Sequence, residues 1–314
     1  MRKYIIPMLV LLVLILITGQ GCQVGGDKVT VPKSPYVGGS QGIESNFEEM
    51  GIVENGIATI WWDQDAGRSE SFPLQVTVKN RGEADVAAGD LMVTLKGLLL
   101  TDFSGWAPGA EDGILVNQNV VEKVSDVNPD GGEETVNFGD DLVYTILITG
   151  SFYDVNFFGE VVYQYKTFVA VPKTCFNGDP SNTEICKVDE VKDVFSSGAP
   201  IQVKRAEERP AGKGIIVLEF QVENVGGGHS TKPNQDFDTR FDQLAYTVDN
   251  DQFSCASGGR EGEAKLVDDK ATIICKLKPD FRIPEDTVYT KQVSLTLLYK
   301  YKDIIHEQLR IKMP

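Results

Sequence analysis

Two runs, FPLQVTVKN at 72–80 and IIVLEFQVEN at 215–224, alternate apolar and polar side chains, and each ends on an asparagine that opens a glycine-bearing turn. Alternation of period two sends successive side chains to opposite faces, so each run needs a sheet with one buried face. Six further stretches read as strands: DLMVTLKGL, DLVYTILITGSF, EVVYQYKTFVAV, QLAYTVD, KATIICKLK and SLTLLYKYK. The best helix-like stretch, VDEVKDVF (188–195), is short and lies in a connector. The fold class expected is all-β.

The strands repeat. EVVYQYK (160–166) matches TLLYKYK (296–302) at an offset of 136 residues, and Lys79 and Asn80 match Glu223 and Asn224 at an offset of 144. One face of the late strand carries Val161, Tyr163 and Tyr165 in the first half, and Leu295, Leu297, Tyr299 and Tyr301 in the second. Rings in such a row belong in a core with their hydroxyls at its edge; ligand stacking is the alternative use. With 314 residues and 41% apolar content the chain can fill two cores. The expected architecture is two tandem Ig-like β-sandwich domains at 47–173 and 198–314, joined by a disulfide-closed connector at 174–197.

The N-terminus sets an address. Arg2 and Lys3 precede 14 apolar residues (4–17). As a helix that run spans about 21 Å, short of the ~30 Å hydrocarbon core. Residues 1–21 therefore read as a signal peptide or membrane anchor. Gly19 and Gly21 are small, and Cys22 follows in the position that lipoprotein processing uses, although Gly19 stands where such signals carry an aliphatic residue. Lipidation at Cys22 is expected; an uncleaved helix and plain secretion are the alternatives. All three place the body outside the cytoplasm, and the anchored forms hold it at the outer face of the cell membrane. Residues 22–46, rich in Gly, Ser and Pro, read as a flexible tether about 27 Å from end to end.

Four cysteines remain: Cys175, Cys186, Cys255 and Cys275. In an exported chain they read as two disulfides, and local pairing is the simplest of three connectivities. Zinc would need closer spacing or nearby histidines, and the chain has only His229 and His306. A net charge of −16 repels phosphate backbones, so no nucleic-acid partner is expected. No phosphate-binding loop, dinucleotide fingerprint, zinc-protease or nucleophile-elbow motif occurs, and the chain is not expected to be an enzyme.

Two features keep ligands in view. DVNPDGGEE (126–134) opens like a calcium loop, with Asp126, Asn128 and Asp130 at alternate places before Gly131, and Glu134 close behind. Pro129 and Asn137 depart from that pattern, and NPDG also suits a hairpin turn between SDV and ETVNF. Aromatics cluster at Trp61 and Trp62, at Trp106, and at Phe152, Tyr153, Phe157 and Phe158 around an expected bend. Exposed, they would form a partner or glycan surface. Buried, they fill the core.

The QVTVKNRGEADV and FQVENVGGG strands resemble CARDB-type domains, the cell-adhesion-related Ig-like sandwiches of exported prokaryotic proteins. After residue 38 most of the chain resembles an uncharacterised family of archaeal surface lipoproteins. The likeness lies in the order of GGSQGI (38–43), the Cys-flanked loop, SGAPIQVKRAEE (197–208), the ENVGGG turn and the terminal YKYK strand. The resemblance implies disulfides at the paired cysteines and no known activity. The expected function is surface-anchored interaction or structural support in adhesion or an envelope complex, with the membrane bound through the N-terminus and a surface protein or glycan as partner. The alternative is an extracytoplasmic ligand- or glycan-binding lipoprotein, calcium-assisted, using Trp61, Trp62 or Trp106. A third reading, a fibre subunit joined by strand exchange, has only VTVPK (29–33) as donor, and Pro32 makes it a poor one.

Overall fold

The inward row of the first alternating run holds Phe72, Leu74, Val76, Val78 and Asn80, all buried, and that of the second holds Ile216, Leu218, Phe220, Val222 and Asn224. A computed structural model describes residues 33–314, and Cys22 with the expected tether up to residue 32 lies outside the described residues. The first repeat runs β1 (Ile43–Phe47), β2 (Ile52–Glu54), β3 (Ile57–Asp63), β4 (Arg68–Ser69), β5 (Phe72–Asn80), β6 (Leu91–Lys96), β7 (Phe103–Ser104), β8 (Ile114–Val116), β9 (Glu133–Tyr144) and β10 (Phe152–Asn177). The connector holds β11 (Glu190–Lys192) and β12 (Phe195–Ser196). The second repeat runs β13 (Ile201–Pro210), β14 (Ile216–Asn224), β15 (His229–Thr231), β16 (Asp242–Val248), β17 (Phe253–Ser257), β18 (Arg260–Glu261), β19 (Glu263–Leu266), β20 (Lys270–Leu277) and β21 (Val288–Lys312). The protein is all-β.

Each repeat has a sheet of its own, ordered β1-β5-β9-β7 in the first and β11-β13-β14-β20-β17-β18 in the second. The third sheet belongs to both. Its main path is β19-β16-β21-β10-β6-β8, with β12 on β10 and β15 and β3 on β21. Its axis is the antiparallel pair β10–β21, in register from Phe152 opposite Lys312 to Asn177 opposite Val288, with one irregularity between Val171 and Thr174. Residues Ser34–Pro314 accordingly form one compact unit. The expected boundary at 173 falls inside β10, which runs on to Asn177.

The register reveals an internal two-fold. Tyr163 lies opposite Tyr301, Tyr165 opposite Tyr299, and Gln164 opposite Lys300 between them. Exchanging the halves maps the first pair onto the second. The four buried rings pack around that centre, with centroids 5.5 Å apart for Tyr163–Tyr165, 5.8 Å for Tyr163–Tyr301, 6.2 Å for Tyr299–Tyr301 and 6.4 Å for Tyr165–Tyr299. The hydroxyls are not at the edge of the core; they are tied inside it.

The turn asparagines explain how. Tyr165 Oη donates to Asn80 Oδ1 at 2.9 Å, and Tyr301 Oη donates to Asn224 Oδ1 at 2.9 Å. Each asparagine Nδ2 donates to the carbonyl four residues on, Ala84 at 2.8 Å and Gly228 at 2.9 Å. The amides of those same residues donate to the tyrosine hydroxyls. Gly82 N and Gly226 N complete each set by donating to the asparagine Oδ1. A Cβ on Gly82 or Gly226 would collide with the Tyr165 or Tyr301 hydroxyl, which is why both turns place glycine there. A buried polar side chain must be paired, and this latch pairs the one polar residue at the end of each apolar row. Burial drives all four tyrosine pKa values up.

Three further expectations change. The tether does not extend to Asn46: the Glu83 carboxylate accepts from Val37 N and Gly38 N at 2.9 Å each and from Gly198 N at 2.6 Å, Ile43 is buried, and β1 pairs with β5. The helix-like 188–195 stretch is extended instead, with β11 on β13. Its Lys192 ammonium turns inward to Glu208 at 2.9 Å and Glu190 at 2.6 Å, an interaction that local helix propensity cannot offer. Phe152 to Phe158 do not bend; they begin the unbroken β10.

Candidate functional site

On β10 and β21 the odd-numbered residues around the centre point into the core, so the even-numbered ones form the outer face of the shared sheet. Phe152 is 49% exposed, Phe158 41% and Ile304 61%. Basic side chains run between these apolar groups. The Arg310 guanidinium lies 4.3 Å from the Phe152 ring centre, and the Lys312 ammonium 5.1 Å from that of Trp61. His306 packs on Phe158 at 5.0 Å. Farther along, Lys302 lies 4.5 Å and Lys300 5.5 Å from Phe237, a ring that reaches over the sheet from the β15–β16 loop.

Acidic neighbours hold some of these cations in place. Asp154, opposite Arg310 in the register, takes both guanidinium hydrogen bonds at 2.7 Å, and this pairing lowers its pKa. Lys312 pairs with Glu54, and Lys302 lies 3.8 Å from Glu160. Lys96, Lys166 and Lys300 have no acidic partner within salt-bridge distance among the described residues.

The expected aromatic site breaks apart. Adjacent strand positions face opposite ways, so Trp62 is buried, packing edge-on against Tyr144, while Trp61 stays partly open. Trp61 lines an open cleft of about 390 Å³ with Trp62, Asp63, Gln64, Asp65, Glu70 and Pro314. Trp106 is a plug: its indole N–H donates to the Leu100 and Phe103 carbonyls, and its ring meets Phe103 edge-on.

The acidic loop does not gather its four residues. The Glu134 carboxylate turns to the 118–119 turn, accepting from Gln118 N at 2.6 Å and Asn119 N at 3.1 Å. Asn128 bonds reciprocally with Ser125 through the backbone. No group of three His, Cys, Asp or Glu side chains among the described residues could hold a metal. The segment is a turn leading into β9, and the SDV run before it is not a strand.

Both disulfides form as local pairs. Cys255–Cys275 joins directly opposed residues of β17 and β20, and Cys175–Cys186 closes the connector loop. Beside Cys175 sits a group that sequence reading missed. Glu208 is fully buried, accepts from Cys175 N at 2.9 and 3.1 Å, and faces Lys192. Desolvation pushes its carboxyl up to about 7, against the downward pull of the Cys175 amide and Lys192. The sheet-face pairs were also missed, because Phe237 and Lys302 are 65 residues apart in sequence and only pairing of distant strands brings them together.

The disulfides mark an oxidising, extracytoplasmic environment. No helix among the described residues is long and apolar enough to cross a membrane. No family model and no curated protein matches the chain.

Proposed function

We propose that the protein is a surface-anchored extracytoplasmic interaction protein, a component of adhesion or of an envelope complex, that presents two fused Ig-like, CARDB-type repeats. The observation that carries this reading is the outer face of the shared sheet, where Phe152, Phe158 and Ile304 stay exposed on a rigid platform. Large apolar groups left together on a sheet face mark a contact surface. The alternative, a calcium-assisted ligand- or glycan-binding lipoprotein using Trp61, Trp62 or Trp106, is less well supported, since Trp62 is buried and Trp106 is packed into its own loop, which leaves Trp61 alone.

A photo-cross-linking residue placed at Phe158 or Ile304 in intact cells tests the reading. Adducts with an envelope component are expected at both positions and not at Val127, which is 94% exposed and lies in the acidic turn. Equal yields at all three would contradict a dedicated face.

The anchor belongs to the same proposal. Cys22 carries the lipid, residues 1–21 are removed, and the chain joins the archaeal surface lipoproteins that its motif order resembles. Intact mass of the membrane-extracted protein is expected to show that loss and a lipid adduct. A retained Met1 would replace the lipid with an uncleaved helix.

A further inference from the structure

We infer that the outer face of the shared sheet is a docking track for a linear acidic polysaccharide. This deepens the interaction reading and rests on it. Charge is the first observation. The chain carries 46 acidic and 30 basic residues, yet on the three central strands the outer face holds Lys96, Lys166, Lys300, Lys302, Arg310 and Lys312 against Asp154 and Glu160. Glu54 reaches in from the edge to Lys312. The local balance is inverted relative to the net −16, so the face attracts an anion that the rest of the surface repels.

The second observation is the company the cations keep. Trp61 and Phe152 lie beside Lys312 and Arg310 at one end, and Phe237 lies beside Lys300 and Lys302 at the other. Phe158 stands between them. Flat apolar rings beside cations suit a chain of sugar rings bearing carboxylates. The C–H faces lie on the aromatics and the acid groups reach the ammonium and guanidinium donors.

Shape is the third. Lys300, Lys302, Arg310 and Lys312 lie along one strand, and at ~3.4 Å per residue the first and last are about 40 Å apart. A straight track of that length fits a linear polymer better than a compact headgroup. Three of the cations, Lys302, Arg310 and Lys312, have acidic neighbours on the protein. The track therefore suits a polymer with spaced carboxylates rather than a densely charged polyphosphate.

The test uses the full chain in detergent, with polygalacturonate as the acidic polymer, dextran as the neutral one and anionic phospholipid vesicles as the competing surface. Binding to polygalacturonate alone is expected, weakening as salt rises. The pair K166E/K300E is expected to weaken it at least tenfold with an unchanged melting temperature, and F158A to weaken it severalfold. Lys213→Glu, at an exposed loop position, is expected to leave it unchanged. Equal binding by K166E/K300E, binding to vesicles but not to the polymer, or binding to neither polymer overturns the polysaccharide assignment. If Phe158 still cross-links in cells after such a result, only the partner class falls; if the cross-link is absent as well, the interaction reading falls with it.

Discussion

The two repeats share a latch but not a means of support. In the first, Asn80 sends its second Nδ2 hydrogen to the Val121 carbonyl at 3.0 Å. In the second, Asn224 sends its own to the Asp242 carboxylate at 3.1 Å, which also accepts from Ser230 N. At the end of the sheet away from the first latch, the space is filled by aromatic packing, with Phe72, Phe103, Trp106 and Tyr144 meeting edge-on. The corresponding strands of the second repeat are crossed by the Cys255–Cys275 disulfide. The difference teaches which parts of the repeat are fixed by geometry. The polar latch recurs bond for bond because a buried asparagine and tyrosine leave few ways to be satisfied, whereas filling a sheet can be done by rings or by a covalent cross-link.

Breaking the latches gives the largest expected effect. Asn80→Ala and Asn224→Ala each take the acceptor from a buried tyrosine O–H and the side-chain partners from the turn's backbone groups, and at about 1–3 kcal/mol for each unpaired group a loss of roughly 3–5 kcal/mol is expected for either variant. Urea denaturation checks it. The two values are expected to agree within about 1 kcal/mol if the latches are equivalent; a near-neutral result for one alone breaks the comparison.

Removing the cross-link comes next. Cys255→Ala with Cys275→Ala is expected to lower stability by about 3 kcal/mol, a loss of the kind disulfides of this loop length produce. Differential scanning calorimetry reads it as a fall in Tm. The first repeat has no such cross-link, so trimming its packing by Trp106→Ala is the matching experiment there, and truncating a packed aromatic is expected to cost about 3 kcal/mol.

The smallest effect is on pH dependence. Glu208 keeps its proton in the folded protein up to about pH 7, whereas the unfolded chain loses it near the usual 4.5. The folded state therefore binds more protons between those values, so this group's stabilisation is complete at low pH and fades as pH rises through 7. Relative to Glu208→Gln, the wild type is expected to gain on the order of 2 kcal/mol when pH falls from 8 to 5, read from Tm against pH. Parallel curves for the two proteins would show that Glu208 does not titrate in that window.

Much of this was legible before the structure. Alternation located β5 and β14, and the matched Asn and Tyr motifs located the repeat, because both are local patterns that a strand imposes on its own residues. The adjacent tryptophans illustrate the limit: period two separates Trp61 from Trp62, but which of them faces the core depends on the sheet beside them. The β10–β21 pairing was illegible for a related reason. Gly159 and Pro172 look like strand breakers, yet Gly159 is where Ile305 and Phe47 pack close, and Pro172 sits at the register irregularity. A loop motif likewise lists its oxygens without their directions, and Glu134 points to a different turn.

The central claim is that β10 and β21 weld the repeats into one cooperative body around the Gln164–Lys300 pair. Native-state hydrogen exchange across a urea series measures this directly. Amides in the paired stretches from 155 to 171 and from 293 to 309 are expected to exchange only through global unfolding, with the same free energy and the same urea dependence in both strands and in both latches. If the first repeat instead opened at a lower free energy than the second, with β10 amides released while β21 stayed protected, the weld would be refuted and the halves would be independent domains.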